Sequence, residues 1–142
     1  MQRDFRYFRD KYDDAGARDV FEKICVELFQ KMFENAYSVK ASPGDDGIDI
    51  LVGDLDKPII VYQCKYFIDG IGDAQKGQIR ESYNTVTEKY EVKEWYLCVP
   101  IVFTVGNHKW WSEWKTGKQQ ISTTKIELYD GIYFGIRNVV RS

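Results

Sequence analysis

The chain has 142 residues, of which 44% are hydrophobic and 15% aromatic, so it can bury the core of one domain. Its formal net charge of −2 gives no bulk indication of a nucleic-acid partner, although a local basic patch is compatible with that average. The charged amino terminus argues against a signal peptide, and no apolar run approaches the roughly 20 residues of a membrane span.

Three cysteines, Cys25, Cys64 and Cys98, stand far apart in apolar runs. An odd number of separated cysteines is typical of reduced core thiols, so we expect a soluble cytoplasmic protein without a disulfide. The chain has one histidine, His108, and no CxxC pair, so the ligand spacing of a structural zinc site is missing.

The predicted elements begin with an N-terminal arm or short helix over residues 1–16, and a single domain follows over residues 17–142. Residues 17–35 carry apolar side chains at helical spacing, which predicts an amphipathic helix with one face towards the core. A brief strand is predicted at 37–41, and the SPGDDG run that follows is typical of a turn.

Two β-branched runs come next, IDILVGD and IIVYQCKYF, and the short polar connection between them predicts a hairpin. A helix over 74–90, a strand over 94–103, a tryptophan-rich helix near 109–118 and a last strand at 124–130 are predicted to follow. This order predicts an α/β protein whose mixed central sheet is flanked by helices on both faces.

Polar residues stand in both strands of the predicted hairpin. Asp49 lies between two isoleucines, and Gln63 and Lys65 lie in a run that otherwise favours burial. Because side chains alternate along a strand, Gln63 and Lys65 should share one face about 7 Å apart, with Cys64 on the other. Hairpin pairing would bring Asp49 beside them.

Buried charges are costly unless they compensate one another or hold a metal. Asp49 offers a carboxylate oxygen and Gln63 an amide carbonyl, and hard oxygen ligands of this kind suit Mg²⁺. Lys65 is able to stabilise an attacking hydroxide and the charge that grows on a phosphate. The pattern therefore favours metal-assisted hydrolysis of phosphodiesters.

These residues resemble a known family. The GDDGIDI run, the QCK in which Gln63 follows Asp49 by 14 positions, and a preceding helix with FEK are similar to the PD-(D/E)XK nuclease superfamily, in particular its Mrr-like branch. The resemblance implies a restriction-endonuclease-like fold with an αβββαβ core. The element order predicted above from periodicity agrees with that core.

The resemblance also implies the roles of the site residues. Asp49, Gln63 and Glu22 would hold the metal, Mg²⁺ or Mn²⁺, and would form the catalytic set together with Lys65. Asp46 matches an accessory acid in the turn. The neutral Gln63 departs from the acidic residue of the general pattern but is frequent in the Mrr-like branch, and it should weaken Mg²⁺ binding.

Two further departures bear on the branch. The first motif here is DGID rather than Pro-Asp. The Gln-x-x-Tyr helix motif of RecB-like nucleases is absent, since Gln78 and Tyr83 are five apart and do not share a helix face.

The activity implied by the resemblance is Mg²⁺-dependent endonucleolytic cleavage of DNA, with double-stranded DNA as the favoured substrate. The setting that it implies is restriction or antiviral defence. The short chain leaves little room for target recognition, so we expect a homodimer or association with recognition or regulatory subunits. Two alternatives stay open. The neutral Gln63 suggests a catalytically inactive DNA-binding or scaffold module, and metal-assisted attack on phosphate is equally suited to an RNA-cleaving nuclease.

Five basic residues are candidates for phosphate contacts, which position nucleic acid without reading its sequence. They are Lys76, Arg80, Lys109, Lys115 and Lys118. Trp110, Trp111 and Trp114 recur at helical spacing, and core packing is favoured over base stacking for them. His108 stands at a predicted helix start and is expected to be solvated rather than to act as an acid or base.

Overall fold

The computed structural model describes residues 13–38 and 50–133, and within them five strands form one sheet with helices packed against it. The elements follow in this order: α1 (Asp14–Met32), β1 (Ala36–Ser38), β2 (Ile50–Val52), β3 (Ile59–Cys64), α2 (Asp73–Lys89), β4 (Val92–Cys98), α3 (Val105–Gln119) and β5 (Lys125–Tyr129). The protein is therefore α/β, as predicted. None of the helices in these ranges has the length and apolar character that crossing a bilayer requires.

The sheet is mixed, and its strands lie in the order β1-β2-β3-β4-β5. The first three strands pair antiparallel, with Ile50 opposite Tyr62, whereas β3, β4 and β5 run parallel. An antiparallel pair needs only a short turn, and Gly53 enters that turn at φ 109°, a left-handed conformation that favours glycine. Each parallel step needs a crossover, which α2 and α3 provide.

Two apolar clusters cover the two faces of the sheet. On the α1 side, Phe21 and Phe29 pack with Tyr62 and Cys64 of β3. On the other side, α2 and α3 pack against the alternate β3 residues, represented by Val61. Because both faces are covered, all six residues of β3 are buried.

The helix starts are fixed by side-chain hydrogen bonds. The carboxylate of Asp13 accepts from the Gly16 amide at 2.7 Å, so α1 begins at Asp14, three residues before the predicted start. At α3, the Thr104 hydroxyl accepts from the Asn107 amide and the Asn107 side chain accepts from the Thr104 amide, both at 3.1 Å. Residues 1–12 of the predicted arm lie outside the described residues.

The remaining predicted elements are confirmed with shifted ends. The helix predicted at 74–90 is α2, one residue earlier, and the tryptophan-rich helix extends in both directions to Val105–Gln119. The strand predicted at 94–103 is β4, which ends at Cys98, two residues before a proline that has no amide hydrogen to donate. The three cysteines are buried thiols, as expected of core residues.

A layer of tyrosine rings lies on the α1 side of the parallel strands. Tyr62 and Tyr96 stack with ring centroids 4.5 Å apart, and Tyr129 stacks on Tyr133 at 3.9 Å. Burial raises the pKa of the Tyr62, Tyr96 and Tyr129 phenols above their ordinary range. This layer is therefore uncharged at neutral pH and acts as core.

Candidate functional site

The site predicted from the sequence lies where three parallel strands end. Cys64 of β3, Cys98 of β4 and Tyr129 of β5 are in register, so the carboxyl ends of these strands form one edge of the sheet. The connections to α2 and α3 leave from this edge. Gln63 and Lys65 both lie at this edge.

Gln63 is a buried polar residue near the end of β3. Only 3% of its surface is exposed, and its register partner on β4 is Leu97. The flanking Tyr62 and Cys64 belong to the cluster against α1, so alternation directs Gln63 to the side of the sheet that α2 and α3 cover. Cys64 packs on the α1 side, and the Gln63 amide supplies a hard oxygen ligand near the carboxyl end of β3.

Lys65 lies just beyond the strand. Its backbone amide donates to the Cys98 carbonyl at 2.9 Å, so the ladder with β4 reaches this residue. Its own carbonyl accepts from the Phe67 amide at 2.9 Å, so the chain turns at once. The side chain is half-buried, so Lys65 stands at the exit of the strand with part of its surface in contact with solvent.

Glu22 lies on α1, which covers the opposite side of the sheet from Gln63. The neighbouring Phe21 contacts Tyr66 with ring centroids 6.3 Å apart, so this part of α1 lies against the segment that follows Lys65. To meet Gln63, Glu22 has to reach around the carboxyl end of β3. Its position on an amphipathic helix could be predicted, but the face of the sheet that this helix covers could not.

The side chain of Glu22 is exposed, with part of it covered by the protein. Burial raises its pKa above the ordinary value of 4.5, and the nearby negative charge of Asp19 raises it further, whereas Arg18 lowers it. The fold therefore favours the protonated form of this carboxyl more than water does.

Asp49 and Asp46 lie outside the described residues. The described part of β2 begins at Ile50, whose partner is Tyr62, the residue before Gln63. Among the side chains of residues 13–38 and 50–133, no group of three or more His, Cys, Asp or Glu is placed to hold a metal ion.

The five basic candidates divide between two helices on the Gln63 side of the sheet. Lys76 and Arg80 lie on α2, and Lys109, Lys115 and Lys118 lie on α3. Lys115 forms an ion pair with Glu127 of β5 at 3.7 Å. Lys118 instead faces α2, where its ammonium donates to the Asn84 side-chain oxygen at 3.4 Å. These five residues therefore do not form one surface.

The tryptophans also differ from one another. Trp111 is buried in the core, as predicted, whereas Trp110 and Trp114 are half-buried at the junction of α2 and α3. The ammonium of Lys76 lies over the Trp110 ring, 5.6 Å from its centroid, a contact that the sequence analysis missed. His108 is exposed, as expected, with its ring 5.4 Å from Phe103.

One further acid at this edge was not singled out from the sequence. The two carboxylate oxygens of Asp130, which follows β5, accept from the amides of Phe103 and Ile132 at 3.2 and 3.1 Å. Asp130 therefore ties the loop after β4 to the end of β5, and its role is structural.

No family model, curated protein or solved structure matches this chain. The resemblance to the nuclease superfamily therefore rests on the motif residues and the order of the elements.

The pKa of Glu22 leads to a prediction about stability. Because the folded state holds this proton more tightly than the unfolded chain, protonation of Glu22 adds stability at low pH. This added stability is lost as pH rises from the ordinary pKa of 4.5 through the raised pKa of the folded state. Glu22→Gln should therefore raise the free energy of unfolding at pH 7 but not near pH 4. Urea denaturation at both pH values measures this.

Glu34→Gln, the same change at an exposed position after α1, is the control and should show no such gain. An equal effect of Glu22→Gln at both pH values would contradict the assignment.

Proposed function

We propose that this chain is a metal-dependent nuclease that hydrolyses DNA phosphodiester bonds, with its site at the carboxyl end of β3. The observation that carries the proposal is the buried amide of Gln63 two residues before the half-buried Lys65, at the edge where three parallel strands end. The Gln63 amide oxygen suits a metal ion, and the neighbouring Lys65 ammonium suits an anionic substrate that this metal would hold.

The order of the elements supports the same proposal. The chain runs α1-β1-β2-β3-α2-β4, with β1, β2 and β3 antiparallel and β4 parallel to β3. An αβββαβ core of the restriction-endonuclease type has this order, so we propose that finer fold for the chain. A restriction or antiviral-defence setting, and action as a dimer or with recognition subunits, belong to the same proposal by resemblance alone.

The residues at this edge fit a hard divalent cation in part. The Gln63 amide offers a neutral oxygen ligand, and the proposal requires Glu22, which lies on the helix across the sheet, to reach around the carboxyl end of β3. The proposal requires Asp49 to lie opposite Gln63, the pair next in register after Ile50 and Tyr62, and to add a full negative charge.

Each protein group then has a distinct task. Gln63 orients the site because its amide is held by the buried strand. Lys65 stabilises the negative charge that grows on the phosphate, and its ammonium favours the deprotonated form of an attacking water. Mg²⁺, when bound, supplies Lewis-acid polarisation of the phosphate and lowers the pKa of a water ligand.

The direct test is cleavage of plasmid DNA with Mg²⁺ or Mn²⁺. We expect cleavage that EDTA abolishes, and a rate at least about 100-fold lower for Lys65→Ala, the usual size of the effect when a group that stabilises transition-state charge is removed. Lys93→Ala, which removes an exposed lysine near the other end of β4, is the matched control and should keep full activity.

Cleavage that survives EDTA or Lys65→Ala would contradict the proposal. DNA binding without cleavage would instead favour the inactive binding module, which the neutral Gln63 keeps as the second candidate. Cleavage of RNA but not DNA in a parallel assay would show that the substrate is RNA, while the proposed metal-assisted hydrolysis would stand.

The Gln63→Glu variant tests whether Gln63 is a metal ligand or only a residue of the core. A carboxylate in a position with only 3% exposure is strongly destabilised unless a cation neutralises it. We therefore expect this variant to melt well below the wild type in EDTA and to recover with Mg²⁺, with a steeper Mg²⁺ dependence than the wild type. Thermal unfolding across a Mg²⁺ titration measures the effect, and a deficit that Mg²⁺ leaves unchanged would count against a metal at this position.

A further inference from the structure

The junction of α2 and α3 carries a row of aromatic and basic side chains, which we call the α2–α3 seam. It consists of Lys76, Arg80 and Tyr83 on α2 and Trp110, Trp114 and Lys118 on α3. The members of each helix are spaced by three or four residues, so each set forms one stripe along its helix. The seam is therefore a continuous feature of two helix faces.

Residues further along α2 contact residues further along α3. Lys76 lies over Trp110, the Tyr83 and Trp114 rings meet at 5.3 Å, and Lys118 donates to Asn84 at 3.4 Å and lies 5.9 Å from the Tyr83 centroid. The two helices are therefore parallel neighbours, as two successive parallel crossovers require. The N-terminal halves of α2 and α3, with Lys76 and Trp110, form one end of the seam.

That end of the seam lies at the same sheet edge as Lys65. α2 begins at Asp73 after the loop from β3, and α3 begins at Val105 after the loop from β4. Lys76 is in the first turn of α2 and Trp110 in the second turn of α3. The first halves of both helices therefore lie at the edge of the sheet where Lys65 leaves β3.

The cations of the seam are available to an anion. In the described part of the chain, no carboxylate lies within ion-pair distance of Lys76, Arg80 or Lys118, in contrast with Lys115, which pairs with Glu127. Exposed acids are also present on these helices: Asp73, Glu81 and Glu88 on α2 and Glu113 on α3. The local charge is therefore moderate, and aromatic contact has to contribute to any binding of a polyanion.

We propose that the α2–α3 seam binds a single strand of DNA, with a base stacked on Trp110 and phosphates paired with Lys76, Arg80 and Lys118. This inference rests on the proposed function, because it identifies the seam as the path by which an unpaired stretch of substrate reaches Lys65. Tyr83 is only 3% exposed and Trp114 packs behind Trp110, so Trp110 is the ring on which a base stacks, and the phosphates on either side of that base reach the cations.

When a strand binds, the Lys76 ammonium exchanges the Trp110 ring for a phosphate. In the free protein its ammonium covers a face of Trp110. A base that stacks on this face displaces the ammonium, which is then close to the phosphate that precedes or follows that base. Trp114, almost parallel to Trp110 at an interplanar angle of 10° with centroids 6.0 Å apart, supports the ring from within the protein.

The test is fluorescence anisotropy with a labelled oligothymidylate of about 16 nucleotides, the upper end of ordinary single-strand site sizes, and a duplex of equal length. EDTA is present so that no metal-dependent cleavage occurs. We expect the single strand to bind more tightly than the duplex, and Trp110→Ala to weaken its binding about tenfold, the loss expected for one stacked base. Trp110→Phe, which keeps an aromatic face, should retain most of the affinity.

The basic residues have their own readout. Lys76→Ala and Lys118→Ala should each weaken binding and reduce the slope of log affinity against log salt by about 0.7, the value for one phosphate contact on a single strand. Lys115→Ala is the matched control on the same helix, because its ammonium faces Glu127, and it should leave the slope unchanged. Circular dichroism melting of each variant confirms that it is folded.

The outcomes separate this inference from the proposed function. Seam-dependent binding without any cleavage would support the seam and overturn the nuclease proposal. Metal-dependent cleavage with single-strand affinity that Trp110→Ala and Lys76→Ala leave unchanged would overturn the seam and keep the nuclease. Preference for the duplex, or an equal loss with Lys115→Ala, would also overturn the seam.

Discussion

The structure depends on the burial of β3 from both sides. This strand pairs antiparallel with β2 and parallel with β4, and helices cover both of its faces, so every residue from Ile59 to Cys64 is buried. A strand in this position favours β-branched and aromatic side chains throughout. Gln63 is the exception, and its burial must be compensated by contacts that an apolar residue would not need.

The same pairing decides where polar groups gather. Because β3, β4 and β5 are parallel, their carboxyl ends and the loops that follow lie at one edge, which brings Gln63 and Lys65 to the same end of the molecule as the starts of α2 and α3. The side-chain carboxylate of Asp130 accepts hydrogen bonds from two backbone amides and so fixes two of the loops there. A rigid sheet therefore holds the amide, while the lysine at the strand exit keeps contact with solvent.

The sequence predicted the features that depend on local periodicity. The amphipathic α1 and α2, the β2–β3 hairpin and the opposite directions of Gln63 and Cys64 follow from patterns of 3.6 and 2 residues, which local neighbours determine. The start of α1 was predicted three residues late because the signal is the Asp13 side chain rather than the apolar stripe. Boundaries set by a single cap or by a proline are less visible than periodicity.

Features that depend on how distant elements pack could not be read in this way. One apolar stripe does not tell which face of a sheet a helix covers, so the location of Glu22 on the opposite side from Gln63 was beyond prediction. Trp110 and Trp111 are adjacent in the chain yet lie about 100° apart around the helix, so one lines the seam and the other enters the core. The Lys76–Trp110 contact requires the parallel arrangement of α2 and α3, which only the folded sheet determines.

The central claim is that a divalent cation explains the buried Gln63. The most direct measurement is an anomalous difference map from crystals soaked with Mn²⁺. The account predicts a peak bonded to the Gln63 Oε1 at about 2.1 Å, on the side of the sheet that α2 and α3 cover. A map without a peak at this strand end, or with the Gln63 amide bonded only to protein groups while Mn²⁺ binds elsewhere, would contradict it.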